Sequence, residues 1–159
     1  SDEESLIKVV EQIRKHQPKI IITNSRKDRH PDHEAASRLV KKACFLSGLV
    51  KISTKSEGEN QPPWRPKSIL YSIQNNYVDP DFVIDITKFY DKKVEAINCF
   101  KSQFYDPKSK EPKSFISSKE FMNFINSRAI EMGHSIGTTY GEGFTSENKL
   151  QVSSLNSII

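Results

Sequence analysis

Residues 19–36 read Lys19-Ile20-Ile21-Ile22-Thr23-Asn24-Ser25-Arg26-Lys27-Asp28-Arg29-His30-Pro31-Asp32-His33-Glu34-Ala35-Ala36. The β-branched run Ile20-Ile21-Ile22 is short and continuous, which predicts a buried strand over 19–23. A polar loop, Asn24 to Arg29, follows it. Pro31 suits the first turn of a helix, where its missing N–H has no partner to lose. Ala35, Ala36, Leu39, Val40, Ala43 and Leu46 carry that helix to a stop at Gly48. Upstream, Leu6, Val9, Val10 and Ile13 fall on one face of a helix over Glu4–Lys15, which Pro18 ends. Helix, strand, loop, helix is the grammar of an α/β domain with a mostly parallel sheet flanked by helices.

Working toward the C-terminus, residues Val50 to Lys67 are polar and irregular, with Pro62, Pro63 and Pro66 around Trp64. A loop of this length in a compact domain is either a surface excursion or a lid. Ser68–Ile73 and Phe82–Ile86 read as strands. Thr87 is placed to cap a helix through Tyr90, Val94, Ile97 and Phe104. Ser117 with Glu120 three residues on forms a capping-box pattern for a helix through Phe121, Phe124, Ile125 and Met132, closed by Gly133. Gly137–Phe144 and Leu150–Val152 are expected to be extended.

The chain has 159 residues, 35% apolar and 28% charged, which fits one domain, 1–159. Its net charge of +4 comes from interspersed signs with no basic stripe, so nucleic acid is not an expected partner. The longest aliphatic run is far short of the roughly 20 apolar residues of a membrane span, so no membrane partner is expected either. Cys44 and Cys99 form no C-x-x-C pair and sit in apolar helical stretches, which points to a reducing, cytoplasmic setting. The chain opens at Ser1 without Met, as expected of a processed polypeptide or part of a longer one.

The chemistry-bearing segment lies where the strand ends and the helix begins. His30 and His33 are three residues apart with Asp32 between them. Ligands gather at the carboxyl ends of strands in open α/β sheets. The free N–H groups of a helix start favour neutral imidazole and developing negative charge. His30 and His33 could share one pocket, with Asp32 orienting a ring. The same residues also fit an ordinary polar helix start, in which Asp32 is a first-turn acid. A catalytic zinc wants three protein ligands and a water, and this motif offers at most two. His16 and His134 stand alone in the sequence and supply no second cluster.

These residues resemble a known family. Asp28-Arg29-His30-Pro31-Asp32-His33-Glu34-Ala35-Ala36 is similar to the second signature of the LmbE-like (PIG-L) zinc deacetylases. Within it, the chain looks most like the bacillithiol-pathway deacetylases that act on N-acetylglucosaminyl-malate. Ala43 to Leu49, Trp64-Arg65-Pro66, Pro80 to Ile86, Lys101 to Tyr105 and Tyr140 to Phe144 agree with that subgroup in kind and order. The resemblance implies a Rossmann-like α/β fold and zinc, or another divalent ion, as cofactor. It implies hydrolysis of an N-acetyl group on a small acetylated amino sugar, and a symmetric homo-oligomer. By the same resemblance His33 is a metal ligand, and His30 polarises the carbonyl or protonates the leaving amine. Asp32 supports His30, and Arg29 clamps a substrate carboxylate.

The family's first signature, an A-H-P-D-D run that carries the remaining ligands and the base, is absent from these residues. The chain is therefore expected to begin after roughly a third of the usual domain, without the first βα portion of the sheet. Two alternatives stay open beside the deacetylase reading. One is a non-catalytic fragment of the fold with an incomplete metal site. The other is a related amide hydrolase with a different acetylated sugar.

Overall fold

A computed structural model describes residues 3–110 and 112–158, with the side chains of 157 and 158 excepted. Helix α1 (Glu3–His16) precedes strand β1 (Ile20–Thr23), and helix α2 (Pro31–Ser47) follows it. Strands β2 (Lys55–Ser56), β3 (Glu59–Asn60), β4 (Ser68–Ser72) and β5 (Phe82–Asp85) come next. Helix α3 (Tyr90–Asn98), helix α4 (Lys119–Ser135) and strand β6 (Gly141–Ser146) complete the order.

The chain divides into two compact units. The first comprises Ser1–Asp81 and Phe144–Ile159, and the second Phe82–Gly143. In the first, β1 runs parallel to β4, from Ile20 opposite Ser68 to Thr23 opposite Tyr71. On its other side β4 pairs antiparallel with β6, Tyr71 facing Thr145. The sheet is thus mixed, an α/β architecture with flanking helices. The first residues of β6 run beside β5 in the second unit.

The core of the first unit follows from the 3.6-residue period of α1. Leu6, Val10 and Ile13 meet Ala43 and Cys44 of α2, with Ile21, Leu39 and Ile69 packed against them. Burial pushes the Cys44 thiol up to about 11, so it behaves as a small apolar side chain. Strand β1 differs from its expected burial. Among the described residues it is an edge strand of the sheet, and Ile21 alone of the three isoleucines packs into this core. Ile20 and Ile22, on the opposite face, are 55% and 60% exposed. A continuous apolar run reads the same whether one face or both are covered, which is why the sequence overstated its burial.

The segment after α2 is tied down along its length. Arg14 of α1 is 2% exposed. Its Nε donates to Ser47 O at 3.0 Å, Nη2 to Leu49 O at 2.8 Å, and Nη1 to Ile52 O at 2.7 Å and Thr54 Oγ1 at 2.9 Å. Further along, Gln61 Nε2 donates to Glu11 O, and Trp64 Nε1 to Pro18 O. Between these anchors β2 and β3 form a minimal hairpin. Its turn residues, Glu57 (φ 54°) and Gly58 (φ 88°), both take the left-handed conformation that a two-residue hairpin turn demands.

The second unit shows where one-dimensional capping signals mislead. Ser118, not Ser117, caps α4, its hydroxyl accepting from Phe121 N–H at 3.1 Å. Ser117 is spent on Ser114, at the turn before the helix. The helix also runs past Gly133 to Ser135. Gly133 is there for contact: a Cβ on it would lie 2.7 Å from Thr139 C and Tyr140 N. Gly141 returns the contact, with a Cβ 2.7 Å from Gly133 N and Met132 C. Backbone meets backbone with no room for a methyl group. Gly141→Ala is therefore expected to destabilise the protein by about 1–3 kcal/mol or more, since neither backbone can yield as a side chain would. A urea melt that leaves the midpoint unchanged would contradict this packing. Between Thr87 and Phe104 the expected helix is shorter, a 3-10 turn at Thr87–Phe89 leading into α3. Residues Leu150–Val152 form no strand.

Candidate active site

The candidate residues all lie in the first unit, at the carboxyl end of β1 and the first turn of α2. His30 is the N-cap of α2, with extended backbone (φ −88°, ψ 122°). Its ring Nδ1 accepts from the Asp32 backbone N–H at 3.2 Å. An imidazole nitrogen that accepts carries no proton, so the neutral ring bears its proton on Nε2. Asp32 thus serves His30 mainly through its main chain. Its carboxylate is largely exposed and lies 3.9 Å from the same Nδ1. The two rings stack, with centroids 5.2 Å apart and planes 30° from parallel. The three-residue spacing thus brings the two rings side by side on the first turn.

Asp28 is the residue that the motif reading passed over. Its side chain is 1% exposed, and Oδ2 lies 3.6 Å from His33 Nδ1. Oδ2 also accepts from Asn75 N–H at 3.0 Å, and Oδ1 from His30 N–H at 3.3 Å. Burial works against its ionisation. The N–H groups of Asn75, His30 and Arg29, with the nearby His33 ring, outweigh it and hold the carboxyl below the usual carboxylate range. The available signal was the pair Asp28 and His33 within one loop-to-helix turn. The decisive partner, Asn75, is 47 residues away and invisible to any local reading.

The loop that carries these groups is braced from β4 and its exit. Gln74 Oε1 accepts from Ser25 N–H and from the Asn24 side chain. Arg26 lies over the Tyr71 ring, 4.8 Å from its centroid. Tyr71 donates its hydroxyl to Glu147 Oε2 at 2.6 Å, and Lys41 Nζ meets Glu147 Oε1 at 2.5 Å. Burial, then the Glu147 carboxylate, raises the Tyr71 phenol well above its ordinary range, so it remains a hydrogen-bond donor. Arg29 is exposed on the same loop, beside His30.

The donor set accommodates a metal only in part. His33 Nδ1 is buried without a hydrogen-bond partner and faces Asp28. The ring's other nitrogen, Nε2, is the one available as a ligand. Zinc commonly binds such an imidazole, whose second nitrogen faces a carboxylate. Among the described residues no group of three His, Cys, Asp or Glu side chains is placed to hold an ion. These residues therefore fit one ligand of a zinc site and do not close it. Among the described residues, no helix is long and apolar enough to cross a membrane.

No family model matches the chain. A curated relative, 4-oxalmesaconate hydratase of Pseudomonas putida, is 26% identical over 109 residues, covering 65% of this chain and 40% of that protein. Among solved structures, the conserved protein TT1542 from Thermus thermophilus superposes with a TM-score of 0.79 at 27% identity. The match covers 96% of this chain and 63% of that one. N,N'-diacetylchitobiose deacetylase from Pyrococcus horikoshii superposes with a TM-score of 0.70 at 22% identity, over 99% of this chain and 57% of that one. The chain spans less than two thirds of the length of each. Its structural neighbours thus include a deacetylase and its sequence relatives a hydratase, and its α/β fold is the LmbE-like one that these neighbours share.

Proposed function

We propose that this chain carries the H-x-D-H half of a zinc-dependent N-deacetylase site that acts on an acetylated amino-sugar conjugate, N-acetylglucosaminyl-malate being the expected substrate. The observation that carries this reading is the His30 ring, whose Nδ1 accepts from the Asp32 N–H at a helix start, which leaves Nε2 to carry the proton of the neutral ring. A donor so fixed costs no reorganisation when negative charge develops on an amide oxygen. His30 stabilises that oxyanion, or passes its proton to the departing amine so that acetate and a free amino sugar result. His33 is one ligand of the zinc, which when bound supplies an acidified water and a polarised carbonyl. Arg29, exposed on the same loop, pairs with a substrate carboxylate. The base that takes the water's proton comes from the A-H-P-D-D segment that the family resemblance implies. A reducing, cytoplasmic setting and a homo-oligomer belong to the same reading.

A second reading is favoured by the 109-residue match to a hydratase. Hydration of a polarised double bond also needs an activated water and a fixed proton donor, so the same His30 geometry serves it. The test is an assay of the protein, in its full-length form, on N-acetylglucosaminyl-malate, N-acetylglucosamine and 4-oxalmesaconate. Acetate release from the malate conjugate supports the proposal. Release from the plain sugar alone moves the substrate, and turnover of 4-oxalmesaconate alone replaces deacetylation with hydration. Absence of all three activities in zinc-loaded protein would favour the non-catalytic alternative.

A further inference from the structure

The two histidines of the pair meet opposite partners. His30 Nδ1 faces a backbone N–H, a donor. His33 Nδ1 faces Asp28 Oδ2, and an ionised carboxylate can only accept. The 3.6 Å separation is longer than a formed hydrogen bond. However, Nδ1 is buried from solvent and has no other partner among the described residues. A lone pair at that nitrogen would set two acceptors against each other and leave a buried polar atom unpaired. A proton there turns the same contact into a charge-assisted attraction. Asp28 is not free to turn away, because Asn75 N–H and His30 N–H pin both of its oxygens.

We infer that Asp28 is a positioning residue which fixes neutral His33 as the Nδ1–H tautomer, so that the stacked pair holds opposite tautomers. His30 presents a proton on Nε2, and His33 presents a lone pair on Nε2. One turn of chain thereby offers a donor and a ligand side by side, and the assignment comes from two different partners rather than from the histidines themselves. The use of that lone pair as a metal ligand rests on the deacetylase reading. The tautomers do not.

The test separates the two. In metal-free, 15N-labelled protein, long-range proton–nitrogen correlation spectra at a pH of about 8, where an ordinary imidazole is neutral, report which nitrogen of each ring is protonated. The expected spectrum shows His33 protonated at Nδ1 and His30 at Nε2. His33 protonated at Nε2 in the unaltered protein overturns the inference without any variant. Asp28→Asn is then expected to move His33 toward Nε2–H, because the new amide can donate to Nδ1, and to leave His30 unchanged. A folded Asp28→Asn protein with an unaltered His33 tautomer also overturns it. Asp28→Glu, which keeps the acceptor, should retain more of the Nδ1–H form. Titration with zinc chloride alone is expected to show affinity about 10- to 100-fold weaker in Asp28→Asn. If the unaltered full-length protein takes up no zinc, the deacetylase reading fails and the tautomer assignment stands.

Discussion

In the full-length protein His30→Ala is expected to lower turnover by about 10²- to 10³-fold, the scale of losing one preorganised oxyanion donor, while zinc stays bound. His33→Ala is expected to lose the zinc itself, and activity with it. The contrast follows from what each ring nitrogen faces. Nδ1 of His30 is occupied by the Asp32 N–H, so the ring offers a proton, which a metal does not want. His33 turns Nδ1 toward Asp28, which leaves Nε2 as its ligating nitrogen. Metal content and kcat, measured on both variants, check the assignment together. Zinc lost in His30→Ala and kept in His33→Ala would reverse the two roles. Equal loss of zinc in both would show that the stacked pair, 5.2 Å between centroids, ligates as a unit.

Arg14→Met is expected to destabilise the protein by about 3–5 kcal/mol, the scale of leaving several part-buried oxygen acceptors without their donor. The guanidinium meets four oxygens, three of them main-chain carbonyls that have turned inward to reach it. Met keeps most of the apolar stem, so the loss is that of the donors rather than of volume. Burial also lowers the pKa of Arg14, yet the group stays charged because arginine starts so high. Lysine at this position should recover little, since a single ammonium cannot span Ser47, Leu49, Ile52 and Thr54 as the planar fork does. The loss is a large fraction of a typical domain's stability of about 5–15 kcal/mol. It should shift the midpoint by roughly 6–20 °C for a chain of this size. Urea and thermal melts of Arg14→Met and Arg14→Lys provide the check. A loss below about 1 kcal/mol would mean that the stretch from Ser47 to Thr54 is held chiefly by Trp64 and Gln61 instead.

Much of the architecture was legible in one dimension because the signals were local. The apolar period of α1, the Ile20–Ile22 run, Pro31 at a helix start and Gly48 at its end each act within a few residues, and the elements lie close to where those residues put them. The misses share a cause. Ser117 and Ser118 are both competent caps, and only the turn around Ser114 decides which is used. Gly133 resembles a helix stop until the backbone of Thr139 and Tyr140 arrives against it. The segment from Val50 to Lys67 looked loose because its restraint is a buried arginine on another helix.

The candidate site divides in the same way. Sequence alone determined that an H-x-D-H pair stands at a strand-to-helix junction, because strand run, loop and Pro31 are contiguous and the hydrogen bonds of His30 reach no further than Asp28 and His33. Tertiary structure alone decided what His33 can do. The orientation of its ring depends on Asp28, the ionised state of Asp28 depends in part on the Asn75 N–H, and the loop itself rests on Gln74 and the Tyr71–Glu147 pair. Those partners come from the end of another strand and from the far side of the chain. Burial and long-range hydrogen bonds, which set tautomer and charge, exist only once the chain has folded.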